Sequence, residues 1–401
     1  MRVRELAHEG KEYGIALRRA FHKEPELGGR EFQTAARIEQ ELDQLGIEHF
    51  RVAATNVVGV IYGAAKGKTV ALRADMDALP VQEENDIEYR SCRDGVMHAC
   101  GHDGHTAALL SAAKILAQMK DELPGTVKLL FQSGEENATG AREIIDSGMI
   151  DDVDAVFGIH VWNDVEQGKV YVSGGEQMAS PIEFRIALKG VGGHGSASYQ
   201  AVDTTVPLAS LVMNLQTIVS MEFDPLTDVV LTVSRIYSGP NAYIKPGEIY
   251  NVVAGDAYME GTIRVFNERD SQLFEEKLRR MVEGTEKLYN VTGSLYYQPH
   301  CPMVINDEKL ALIARKACME LWGESSLDHS LGKVMAGEDF GFYREKAPSM
   351  FAFVGGKNEE KLPRYPHHNP KFNIDEDAIE QAACLYAQFA LDFLKEAKGL
   401  M

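Results

Sequence analysis

The densest chemistry in the chain is the run His98-Ala99-Cys100-Gly101-His102-Asp103-Gly104-His105. Thiolate and imidazole ligands suit transition metals. In an extended segment alternate side chains point the same way, so Cys100 and His102 could grip one or two cations together. The same residues would also serve as a buried thiol beside histidines that cap a helix, and Cys100 alone does not decide between the two. Glu135-Glu136 is the second feature. Adjacent carboxylates repel one another and usually mark a solvated turn. Placed after an apolar strand and opposite a Cys/His cluster, one carboxylate can bind metal while its neighbour takes a proton from an activated water. His160 and the pair His367-His368 supply further imidazoles, although a loop histidine is more often simply solvated.

These groups need elements to bring them together. Apolar runs at 56–62, 69–74, 126–132 and 155–161 alternate with helical periodicity at 106–120 and near 141–147, the pattern of a mainly parallel sheet covered by helices. In such sheets ligands bind beyond the carboxyl ends of the strands. That rule singles out Asp75-Met76-Asp77, Ser133-Gly134-Glu135-Glu136 and His160, each read as ending its strand.

Near Ser180 the texture changes to alternation of Ile182, Phe184, Ile186 and Leu188 with polar residues, as in a strand with one solvated face. Strands at 182–189, 228–238, 256–266 and 293–298 with helices at 202–220 and 271–289 give the β-α-β-β-α-β order of a ferredoxin-like unit. The α/β texture resumes with a helix at 308–321, a strand at 350–354 and a closing helix at 376–397. The expected fold is therefore α/β in two domains. Residues 1–179 and 299–401 form a discontinuous catalytic domain, and 180–298 form an inserted α+β domain. Within the insert, the segment from Gly190 to Ser196 matches neither the Walker pattern nor the dinucleotide fingerprint, so His194 reads as a group that reaches into a neighbouring cleft.

Composition narrows the partners. The 401 residues exceed what one hydrophobic core usually supports, and 45% hydrophobic content can fill two. Acidic residues outnumber basic ones 60 to 41, for a net charge of −19, which disfavours a phosphate backbone. No apolar run reaches the ~18 residues of a membrane span, and the charged N-terminal residues lack the pattern of an export signal. Five cysteines without paired spacing argue against a disulfide framework. The expectation is a cytoplasmic protein with reduced thiols, binding neither nucleic acid nor membrane.

Several of these stretches together resemble a known family. His22-Lys23-Glu24-Pro25-Glu26-Leu27, Arg73-Ala74-Asp75-Met76-Asp77-Ala78-Leu79-Pro80, the Cys100 to His105 block, Glu135-Glu136, Gly337-Glu338-Asp339-Phe340 and His368-Asn369-Pro370 occur in the order found in the M20 metallopeptidases. The resemblance is to the amidohydrolase branch, with hippurate hydrolases, aminoacylases, N-acetyl-diaminopimelate deacetylases and plant auxin-conjugate hydrolases. It implies two divalent metal ions per subunit, Zn, Mn, Co or Ni, bridged by Cys100 and completed by His102, Glu136, His160 and His368. Glu135 would be the general base, and Asp75 would orient an imidazole instead of binding metal. The inserted domain would be a lid that also joins subunits through its sheet edge into a homodimer or higher homo-oligomer, contributing His194, Asn251 and Arg264 to the substrate. Two departures lie in that lid: Ser196-Ala197-Ser198-Tyr199 where a proline is common, and Asn251-Val252-Val253-Ala254 in place of Asn-Val-Ile-Pro. They bear on specificity.

The implied reaction is hydrolysis of the amide bond of N-acyl amino acids, with Arg264 forking onto the substrate carboxylate. An M20-type dipeptidase or carboxypeptidase would use the same chemistry and differ in accepting a free amine. A non-catalytic, metal-dependent binding protein is the reading from another class, and a retained Glu135 argues against it.

Overall fold

A computed structural model describes residues 2–239 and 250–396. The chain divides into two compact units, one of Met1–Gln177, Val304–Val334 and Glu338–Met401, the other of Met178–Met303 and Met335–Gly337.

The larger unit is built on a mixed sheet that has eight strands among the described residues. Their spatial order is Glu48–Val52, Asn56–Tyr62, Thr126–Gln132, Thr69–Asp75, Ala155–Glu166, Ser349–Lys357, Val170–Tyr171 and Leu327–Asp328. The three central pairings are parallel and bring the carboxyl ends of Thr126–Gln132, Thr69–Asp75 and Ala155–Glu166 toward one rim. These strands are buried on both faces, which is why they read as continuous apolar runs. On one face Val70, Leu72 and Ala74 join a single aliphatic cluster with helices His102–Gln118 and Asp377–Glu396. The expected end of the last helix, residue 397, lies outside the described residues.

Two local expectations are corrected here. Helix His102–Gln118 begins four residues before the expected start at Thr106, so His102 and His105 belong to its first turns and Cys100 and His102 do not share an extended segment. Gly101 makes this possible: as the cap residue it has φ 94, a left-handed conformation that suits glycine. His160 does not end its strand either, because Ala155–Glu166 continues past it, with His160 facing Phe353 of the neighbouring strand.

In the smaller unit, strands Ser180–Lys189, Val230–Ser238, Asp256–Val265 and Thr292–Pro299 form an antiparallel sheet. Its order among the described residues is second, third, first, fourth, the ferredoxin-like arrangement. Helices Thr205–Glu222 and Glu268–Tyr289 accompany it, close to the expected 202–220 and 271–289, and a 3-10 segment, Gly195–Gln200, precedes the first. No helix among the described residues is long and apolar enough to cross a membrane.

Candidate metal centre

The site sits at the rim of the larger unit. Strand Thr69–Asp75 delivers Asp75 and, just beyond it, Asp77. Strand Thr126–Gln132 turns sharply through Gly134, at φ 57, into Glu135 and Glu136, and the turn is pinned by the Glu136 backbone N–H donating to Asp77 Oδ2 at 3.0 Å. The third contribution is a loop in which the His368 backbone N–H donates to the Ala99 carbonyl at 2.8 Å. His368 itself has φ 66, a left-handed conformation that costs a non-glycine residue and recurs where a side chain must be aimed.

Hydrogen bonds fix how the imidazoles point. His102 Nδ1 donates to Asp77 Oδ1 at 3.1 Å, and His160 Nδ1 donates to the Val161 carbonyl at 2.8 Å. In both rings this leaves the Nε2 lone pair facing inward, the usual way a ligating histidine is oriented. His105 is different: its Nδ1 donates to Asp75 Oδ1 at 2.6 Å and its Nε2 accepts from the Val161 N–H at 2.8 Å, so both nitrogens are used. Asp75 thus orients His105, while Asp77 holds His102.

Sets of donor atoms lie within 4.8 Å of one another at this rim: Cys100, Glu136 and His368; His102, Glu135 and Glu136; Cys100, His160 and His367. Cys100 Sγ is 3.5 Å from His160 Nε2, and His368 Nε2 is 3.4 Å from Glu136 Oε1. His102 Nε2 is buried without a hydrogen-bond partner among the described residues and faces the buried Glu136 Oε1 across 4.0 Å. Stranding such atoms is costly unless something fills the gap between them. Sulfur, imidazole nitrogen and carboxylate oxygen facing a common space are a donor set that a divalent transition metal fits.

The electrostatics agree. Burial opposes a charge on His102, but its neighbours Asp75 and Cys100 outweigh it and hold its pKa well above the usual imidazole value. His368 is pushed up to about 10 by hydrogen bonding to Cys100 and Glu136. Positive charge is therefore welcome here. Burial, with His105 and His367 beside it, keeps His160 well below its usual value and so neutral. Glu135 is raised well above the carboxylate range by burial and by the neighbouring Glu338, Glu136 and Asp339, the direction a general base needs.

Beneath Glu135 lies a buried ionic knot. Arg73, 0% exposed, donates to Gln132 Oε1 at 2.8 Å, Asp75 Oδ2 at 2.7 Å, Glu338 Oε1 at 2.9 Å and Asp339 Oδ1 at 2.8 Å. The Asp339 N–H in turn donates to Glu135 Oε1 at 3.4 Å. Sequence reasoning singled out both the Arg73 and the Glu338-Asp339 stretches but assigned neither this role. It likewise singled out the stretches that hold Asp77 and His105 without giving either residue a role; the spacing of His102 and His105, three apart on one helical face, was the available signal.

Three expected residues belong to the smaller unit. His194 pairs with Val252 in a short two-stranded ribbon whose Asn251 carbonyl accepts from the Gly195 N–H at 2.6 Å, so His194 and Asn251 are neighbours. His194 Nδ1 accepts from the Ser196 N–H at 3.2 Å. Arg264, at the end of its strand, donates to the Ile263 carbonyl at 3.1 Å and to Thr262 Oγ1.

Comparison with known proteins places this arrangement. The chain is 35% identical to an N-acetylcysteine deacetylase of Bacillus subtilis over 96% of its length and 97% of the relative's. It is 36% identical to thermostable carboxypeptidase 2 of Saccharolobus solfataricus, covering 98% of each chain. Among solved structures it superposes on the Bacillus subtilis YxeP protein, a dinuclear metal-binding peptidase of the M20 family, with a TM-score of 0.84, 32% identity, and coverage of 97% of this chain and 99% of that one. Residues 71–392 match the model of peptidase family M20/M25/M40, spanning the whole metal-facing rim. The chain is a member of that family, a hydrolase of amide bonds.

Proposed function

We propose that this protein hydrolyses the amide bond of N-acyl amino acids, with two divalent cations held by Cys100, His102, Glu136, His160 and His368. The observation that carries the reading is the position of Cys100. Its sulfur belongs to one donor set with Glu136 and His368 and to another with His160, so one thiolate can serve two cations. When bound, such a pair of cations polarises the scissile carbonyl and acidifies a water between them.

Glu135 accepts the proton of the attacking water and delivers it to the departing nitrogen; its raised pKa lets it hold that proton between the two steps. Asp77 fixes His102, and Asp75 fixes His105 behind it. Arg73 neutralises the carboxylates under Glu135 without touching the reacting atoms.

Residues 180–298 act as the lid, inserted between 1–179 and 299–401, and contribute His194, Asn251 and Arg264 to the substrate. Arg264 takes the substrate carboxylate. Burial lowers its pKa from the usual guanidinium value, so the site is one where an anion is welcome. The smaller unit is also the surface for a homodimer: helix Thr205–Glu222 leaves Val206, Met213 and Met221 exposed at 59%, 70% and 78%. Zn, Mn, Co and Ni all suit the donor set. None of the five cysteines forms a disulfide among the described residues, in keeping with a cytoplasmic protein, and the net charge of −19 speaks against nucleic acid and acidic membranes as partners.

A second reading, exopeptidase action on dipeptides, is favoured by the 36% identical carboxypeptidase relative. A panel of N-acetyl, N-benzoyl and indole-acyl amino acids with unblocked dipeptides separates the two. Glu135→Gln should lower kcat on the preferred substrate by about 10²-fold or more. Turnover that survives this substitution would sink the assignment of the base.

A further inference from the structure

His367 stands against the same sulfur as His160, and the two rings present opposite faces of imidazole chemistry. His160 spends its Nδ1 proton on the Val161 carbonyl at 2.8 Å and turns the bare Nε2 toward Cys100 Sγ at 3.5 Å. In His367 the order is reversed. Its Nε2 accepts from the Asn163 backbone N–H at 3.3 Å, so that nitrogen carries no proton and the ring's single proton sits on Nδ1. Nδ1 is the atom that faces Cys100 Sγ, at 3.9 Å. One ring offers the sulfur's surroundings a lone pair, the other a proton.

We propose that His367 is a positioning residue that donates a hydrogen bond from Nδ1 to the Cys100 thiolate, and that it is not a metal ligand. The inference rests on the reading of Cys100 as a ligand. The ring is held for this purpose. It lies between Trp162, centroids 4.5 Å apart and planes at 31°, and Phe372, at 4.8 Å and 38°. The Asn163 side-chain amide ties down the same loop by donating to the Tyr365 carbonyl at 3.3 Å and the Asn373 carbonyl at 2.9 Å. A hydrogen bond onto a ligating thiolate withdraws electron density from sulfur, weakens its donation to the metal and raises the energy of sulfur-to-metal charge transfer.

The test uses the full chain loaded with Co(II), whose sulfur-to-cobalt charge-transfer band reports the thiolate directly. His367→Phe fills the space between Trp162 and Phe372 without a donor. It should keep the Co(II) stoichiometry of the unaltered protein and move the band to longer wavelength. His367→Gln, whose amide can still donate, should leave the band near its original position. A lower Co(II) stoichiometry in His367→Phe would make the ring a ligand and overturn the proposal, as would an unmoved band. A missing charge-transfer band in the unaltered protein would overturn the metal reading of Cys100 itself, and the proposal with it. Should His367→Phe not fold, the ring ¹⁵N shifts of His367 in the unaltered protein decide the question: a proton on Nδ1 upholds the proposal, a proton on Nε2 refutes it.

Discussion

Replacing Arg73 with methionine should be among the most damaging single changes in the larger unit. The guanidinium is fully buried and is the countercharge for Asp75, Glu338 and Asp339, all within 2.9 Å of it. Methionine fills much of the volume but leaves three buried carboxylates facing one another. A hydrogen bond to a charged group contributes about 1.5–3 kcal/mol, so three lost bonds set an upper range near 5–9 kcal/mol. Breaking a buried ion pair from one side costs about 3–5 kcal/mol. The carboxylates can relax in part. Asp339 keeps the Gln132 amide and the Ala141 N–H, Asp75 keeps His105, and burial already raises Asp339 well above the usual range, so it takes up a proton readily. The expected loss is therefore about 4–6 kcal/mol, a large share of the ~5–15 kcal/mol that holds a domain folded.

The assay is built into the chain. Both tryptophans, Trp162 and Trp322, lie in the larger unit, so their fluorescence follows its unfolding in denaturant separately from the smaller unit. Arg73→Lys retains the charge but not the fork that reaches four acceptors, and should lose about 2–3 kcal/mol. A shift below about 1 kcal/mol for Arg73→Met, at unchanged denaturant dependence, would refute the idea that this knot is held by its central charge.

Other outcomes can be stated with their measurements. Asp392 in the last helix is buried, has one oxygen accepting from Gln388 and the other without a partner among the described residues, and burial pushes its pKa up to about 6. A folded pKa above the unfolded one of an acid means the native state binds more protons, so this group's contribution falls as pH rises from about 4 through 6. Asp392→Asn should raise stability at pH 7 by about 1–2 kcal/mol, after discounting a two-unit shift for screening, and do little at pH 4; an equal effect at both pH values would contradict this. Gly140→Ala would place its Cβ 1.6 Å from the Ser133 carbonyl oxygen, so the turn carrying Glu135 must move, and activity should fall more than stability; unchanged turnover would show that the turn is tolerant. Chelation should lower the melting temperature of the larger unit, and added Zn or Mn should restore it in a concentration-dependent way, because a ligand bound only by the folded state stabilises it. A melting temperature indifferent to chelator and metal would argue against the cation reading.

The strands were readable because burial on both faces leaves an unambiguous signature: Asn56–Tyr62 and Thr126–Gln132 fall where their apolar runs begin and end. The start of the metal-facing helix was not. Its first residues, His102 to His105, are polar yet fully buried, and a helix buried all round loses the one-sided periodicity by which helices are recognised. Cys100, Glu136 and His160 stood out by residue type. What their partners are did not, because the pairings are made in space: Arg73 meets Glu338 and Asp339 across 265 and 266 residues. The tautomer difference between His160 and His367 likewise depends on which backbone group lies behind each ring, something no spacing encodes.

The place of strand Ser349–Lys357 has a consequence for how the chain is made. It lies beside Ala155–Glu166 in the middle of the sheet, and helix Asp377–Glu396 closes the core over that sheet. A ribosome therefore releases Ala155–Glu166 long before its neighbour exists; the 183 residues from Glu166 to Ser349 take roughly 10–40 s at ordinary elongation rates. Through that interval one edge of a strand that is apolar from Ala155 to Ile159 stands open, while Met178–Met303, nearly the whole smaller unit, is complete well before it closes. Synthesis thus runs through a stage in which the ferredoxin-like unit can fold first, and the sheet beneath the candidate metal centre is the part most in need of protection from self-association.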